Sequence, residues 1–325
     1  MATPMFIFMF GFMIEYVYVP KLKILGKSAT NRKLHARAFQ CYIGFALTSI
    51  AALIGGHIDF SIFIKSLFML EATRYSNILL LYVLYLLLLP WILWIRVRFG
   101  IICFPLMIPI IYGLNYFATA FKDIDLNAFN YISNKLIGIS MATGGPSALS
   151  GLIFLFSGML IAASITQSKA SKLSPFYMYS SILIIINFSF IIVFNDLSSI
   201  RLIKDYLTHY AYGPFRGLND HNYFLLGTLL SCITLTLICL LAEEIIKLKR
   251  LPSITTSVGR ASLFSFAYGN ILLNLFASPM KSIDPSISII LFFTIVILSA
   301  RFLHLLPYHS NIKNMLYFNS LPTSR

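Results

Sequence analysis

Apolar residues in this chain gather in runs on the order of 20 residues, the length at which a helix spans the roughly 30 Å hydrocarbon core of a bilayer. Nine runs can be marked, near Met5–Val19, Ala38–Gly56, Asn77–Ile95, Ile101–Phe117, Ser147–Thr166, Tyr177–Asn195, Tyr223–Ala242, Ala261–Ser278 and Pro285–Leu303. Such segments have few ways to fold in lipid, because a helix satisfies every backbone donor and acceptor from within. The expected class is all-α, a polytopic integral membrane bundle of about nine transmembrane helices forming one domain over residues 1–325. With 58% hydrophobic and 11% charged residues, there is too little polar surface to cover a water-soluble globule of this size.

The segment Pro20–Arg37, PKLKILGKSATNRKLHAR, is a basic turn wedged between the first two runs and sets the direction of threading. Cationic connections are kept on the cytoplasmic side. With this turn inside, 17 cations fall on inner connections and 8 on outer ones, and the outer 8 are matched by 8 acids. The predicted topology is N-terminus out and C-terminus in. A net charge of +14 would suggest nucleic acid in a soluble protein, but here its one-sided placement accounts for it, and no nucleic-acid partner is expected.

Cys41, Cys103, Cys232 and Cys239 lie inside apolar runs without metal-ligand spacing, so they read as packing residues, and no metal site is expected. No basic region precedes the first run and no small-residue cleavage site follows it, so it should stay in the membrane. The outer connections His57–Ser76 and Asn195–Asn222 are partly apolar yet contain no full span, which predicts interfacial or re-entrant helices.

Four segments, in order along the chain, resemble the OpgC-like branch of the acyltransferase-3 superfamily. MFIFMFGFMIEYVY at the start is similar to that family's F-x-F-x-x-G second helix, and KSATNRKLHARAFQCY to its Arg-rich cytoplasmic turn. YSNILLLYVLYLLLLPWILW, Tyr75–Trp94, resembles the D-I-L-x-L-Y segment, with Asn77 where the family has Asp. SVGRASLFSFAYGN, Ser257–Asn270, resembles the G-R-x-S-L-x-x-F motif. The resemblance implies a multi-pass protein of the bacterial inner (cytoplasmic) membrane that moves an acyl group, with succinyl as the OpgC-like donor group, from cytoplasmic acyl-CoA to an extracytoplasmic glycan. No permanently bound cofactor is implied. The family's first helix, which carries an Arg-Gly pair and a His, has no counterpart before Met5, so the expectation is either a chain that begins late or a diverged, inactive member.

Acyl transfer of this kind needs a cationic grip on the donor's phosphates and a base near the acceptor. Lys27, Arg32, Lys33 and Arg37 are the candidate grip, since cationic donors pair with phosphate oxygens; setting topology is the alternative use of the same residues. Arg260 joins them through the resemblance, or else caps its helix. Glu15 is a carboxylate in an apolar run, expected to face a partner or a cavity, or to snorkel to the interface. Candidate bases are His209, with Asp205 one turn earlier to orient it, and His57. A salt-bridged interfacial face would explain the His209–Asp205 spacing equally well. Transport or flipping of an anionic or lipid-linked solute is the competing function.

Overall fold

The computed structural model describes residues 2–71, 73, 75–120, 136–137, 146–168, 182–183, 185–187, 189, 223–235, 262–280 and 284–305. Every regular element among the described residues is helical. Helix α1, Ala2–Met13, runs into a π turn at Ile14–Tyr18 and on into α2, Val19–Ile54. The short helix α3, Phe60–Leu67, follows. Next come α4, Asn77–Phe99, α5, Cys103–Ala120, and α6, Ala148–Ser168. The chain closes with α7, Ser262–Met280, and α8, Pro285–Leu305. Helical residues Tyr223–Leu235 add a further buried face to the core.

The basic segment departs from the expected loop. It is helical on both sides of Gly26, whose backbone at φ 78°, ψ 172° breaks α2 and reverses the chain in one residue. Glycine adopts that conformation at no steric cost, and Lys, Leu, Ala and Arg on either side favour helix. The Thr30 hydroxyl donates to the Gly26 carbonyl across the break, at 2.8 Å. Residues 27–54 make a helix about 42 Å long, about 12 Å more than a hydrocarbon core, so part of it stands outside any such layer.

Contacts fix the relative directions of the helices. Tyr82 meets the Phe6 carbonyl and Arg96 meets Glu15, so α4 runs parallel to α1. Gly151 lies against Ile7 and Gly11 against Leu155, so α6 is also parallel to α1. Asn115 pairs with Ser150 while Phe104 stacks on Phe156, so α5 opposes α6. Gly44 faces Ala267 and Gly55 faces Asn274, so α7 runs with α2. These directions agree with serial threading through a layer. Helix α3 folds back along α2, where the Tyr42 hydroxyl donates to the Leu67 carbonyl at 2.8 Å.

The tightest packing joins α1 to α6. A Cβ added at Gly11 would strike the Leu155 backbone, and one at Gly158 would strike the backbone of Phe8 and Phe12. Small residues let two helix backbones approach closely where lipid supplies no hydrophobic drive between helices. Ile7, Phe8, Phe154, Leu155 and Met159 fill the core there, each fully buried. The outside is apolar too, with Trp91, Leu106 and Ile290 each about two-thirds exposed, at 69%, 66% and 66%. Two helical runs among the described residues, Thr3–Ile54 and Asn77–Phe99, are long and apolar enough to cross a membrane.

Candidate functional site

The π turn is where α1 meets charge. Glu15 lies within it, 4% exposed, and its carboxylate accepts three hydrogen bonds from Arg96 in the last turn of α4. Arg96 Nε reaches Oε1 at 3.1 Å and Oε2 at 3.0 Å, and Nη2 reaches Oε1 at 2.7 Å. A two-pronged guanidinium contact of this kind both neutralises and orients a buried carboxylate. The π turn widens the helix at this point, and such turns recur at functional sites. Of the three expectations for Glu15, the structure therefore brings it to a partner.

Past the π turn, at the Gly26 hairpin, stands a cluster of cations. Lys21 lies over the Tyr18 ring, its Nζ 5.6 Å from the ring centroid. Across the Gly26 break, Lys33 and Arg37 stand one turn apart on α2 and are half-buried. Burial first, then the charges of Lys33 and Arg37, lower the Lys21 ammonium from the ordinary lysine range. Arg37 Nη1 donates to Gln40 Oε1 at 3.1 Å, which holds the guanidinium in place. The hairpin thus gathers three like charges that repel one another.

This grouping only partly matches the sequence expectation. Of the four residues expected to grip a donor, Lys33 and Arg37 come together, whereas Lys27 and Arg32 are exposed on other turns of the helix. Lys21 belongs to the cluster although its place in the chain suggested only topology. Arg260, His209 and Asp205 lie outside the described residues. Asn77 is the first residue of α4, half-buried, directly after Ser76, whose side chain ties down Thr73 through its amide and hydroxyl at 2.9 and 2.8 Å. His57 is exposed in the turn after α2, far along that helix from the cations.

Polar groups also meet inside the bundle. Ser147 and Ser150 share a hydrogen bond at 2.9 Å at the start of α6, and Ser150 donates to Asn115 Oδ1 of α5 at 2.8 Å. The Tyr112 hydroxyl donates to Asn187 Oδ1 at 3.0 Å, and the Tyr85 hydroxyl to the Ala148 carbonyl at 3.1 Å. On α7, Asn274 is fully buried and Asn270 is 8% exposed. Asn274 Nδ2 donates to the Asn270 carbonyl at 2.9 Å, while Asn274 Oδ1 and Asn270 Nδ2 find no partner among the described residues. These asparagines were missed in the sequence, although an amide within an apolar run carries the same signal that marked Glu15.

Comparison of the chain with protein-family models, with characterised proteins and with solved structures finds no match.

Proposed function

We propose that this chain is a multi-pass membrane O-acyltransferase, with the Gly26 hairpin on the cytoplasmic side of a bacterial inner membrane. On this reading it takes an acyl group from acyl-CoA and delivers it to an extracytoplasmic glycan. The observation that carries the reading is the Lys21, Lys33 and Arg37 cluster. Three crowded cations are relieved by a ligand bearing several negative charges, and the phosphates of CoA supply them on one molecule. The four-segment resemblance supports the same chemistry. In the transfer, the glycan hydroxyl oxygen forms the new ester bond to the acyl carbon as the thioester C–S bond breaks. The hydroxyl proton passes to a base, for which His57 and the His209–Asp205 pair are the candidates, and CoA leaves as the thiol.

Titration of CoA into the purified, reconstituted chain tests the grip. Lys33→Ala and Arg37→Ala should each weaken binding by about tenfold, equivalent to about 1.4 kcal/mol. Lys27→Ala and Arg32→Ala should change it little, since those residues stand apart. Equal losses at all four positions, or no CoA binding by the wild-type chain, would remove the reading. A second reading, transport of an anionic or lipid-linked solute, draws on the hydrogen-bonded polar groups Asn115, Ser147 and Ser150 between α5 and α6. Polar side chains at such depth often line a pathway. Solute flux in proteoliposomes without consumption of succinyl-CoA would favour it.

A further inference from the structure

The two asparagines of α7 present a specific demand. Asn274 cannot turn its amide over, because its Nδ2 already donates to the Asn270 carbonyl and a flipped oxygen would face that carbonyl instead. Its Oδ1 is therefore fixed as a buried acceptor with nothing among the described residues to accept from, one turn away from a buried donor, Asn270 Nδ2, with nothing among them to donate to. Leaving such groups unmatched is costly. A single group that both accepts and donates would satisfy the two at once, and a hydroxyl is the smallest organic group that does so.

The position of the pair says where that hydroxyl comes from. Gly55, near the end of α2 opposite the Gly26 hinge, lies directly against the Asn274 backbone, and a Cβ there would strike the Asn274 carbonyl and crowd the His57 ring. The same end of the interface carries the exposed side chains of His57 and Asp59. Amides and a carboxylate are groups that hold a sugar by hydrogen bonds.

We propose that Asn270 and Asn274 bind one hydroxyl of a carbohydrate that enters between α2 and α7 at the His57 end. The inference rests on the acyl-transfer reading for the side of the membrane, and it places the acceptor at the opposite end of α2 from the donor's cations.

The test uses the full chain in lipid nanodiscs, with a linear glucose tetrasaccharide and its fully O-methylated form as probes, followed by calorimetric titration. The wild-type chain should bind the free sugar and not the methylated one, which cannot donate to Asn274. Asn270→Asp, nearly isosteric, replaces the unpaired donor with an acceptor, and Asn274→Leu removes the unpaired acceptor. Each should weaken sugar binding by about tenfold or more while CoA binding stays as in wild type. Should Asn274→Leu fail to fold, Asn270→Asp alone decides the question. Sugar binding unchanged in the folded variants would overturn the proposal. So would a wild-type chain that binds neither sugar, because the pair would then be a packing defect or a buried water site. Sugar binding lost in the variants, in a chain that never consumes succinyl-CoA, keeps this site and removes acyl transfer.

Discussion

Glu15 and Asn274 are both buried polar side chains on helices whose surroundings are apolar, and they are treated in opposite ways. Glu15 carries a full charge and receives three hydrogen bonds from one guanidinium. Asn274 is neutral, and its oxygen receives none from the described residues. The cost of an unmatched charge is several times that of an unmatched amide, so the fold answers the charge itself and leaves the amide half satisfied. A buried polar group that is fully satisfied speaks for architecture.

Breaking the satisfied side should give the largest effect. Arg96→Leu strands the Glu15 carboxylate and should destabilise the chain by about 3–5 kcal/mol, measured by unfolding in detergent. The double variant Glu15→Leu with Arg96→Leu should recover most of that loss, because no charge is then left alone. Full destabilisation in the double variant would mean that packing, and not charge, is what the pair supplies. Gly158→Ala should cost about 1–3 kcal/mol, since its methyl group meets backbone and not a movable side chain. Asn274→Leu, in the absence of sugar, sharpens the contrast. It should lie within about 1 kcal/mol of wild type or be more stable, in keeping with an amide that lacks one partner.

The smallest effect concerns pH. Lys21 holds its proton less tightly folded than unfolded. In the alkaline range between the lowered value and that of an ordinary lysine, the unfolded chain binds more protons, so this group makes stability rise with pH. Lys21→Met should remove that rise, seen as a flatter melting temperature against pH in that range. An unchanged slope would mean that neither burial nor the charges of Lys33 and Arg37 act on Lys21 in the folded chain.

Much of the architecture was legible because apolar runs and helices coincide. The runs from Asn77, Ile101, Ser147, Ala261 and Pro285 each begin within two residues of a helix start. The connection after His57 holds a short helix folded back on α2, as a partly apolar segment too short to span suggests. The Gly26 hinge was obscured because charge was read as loop, although KSATNRKLHARAF contains no helix breaker. Glu15 stood out as a carboxylate among apolar residues. Its partner did not, because Arg96 lies 81 residues away and a cation at a helix end already has a sufficient explanation in topology. The asparagines of α7 went unread because they carry no charge. His209, Asp205 and Arg260 lie outside the described residues, so that part of the expected site stands on sequence alone.

The π turn at Ile14–Tyr18 has a consequence for register. Geometrically it is an insertion of one residue into an α-helix, which turns everything before it by about 100° relative to everything after. Upstream of it, α1 must offer Gly11 to the backbone of α6; within it, the same helix must offer Glu15 to α4. The turn works as a gear between these two alignments. Deleting a single residue from this turn would force the chain to choose between its closest helix contact and its buried ion pair.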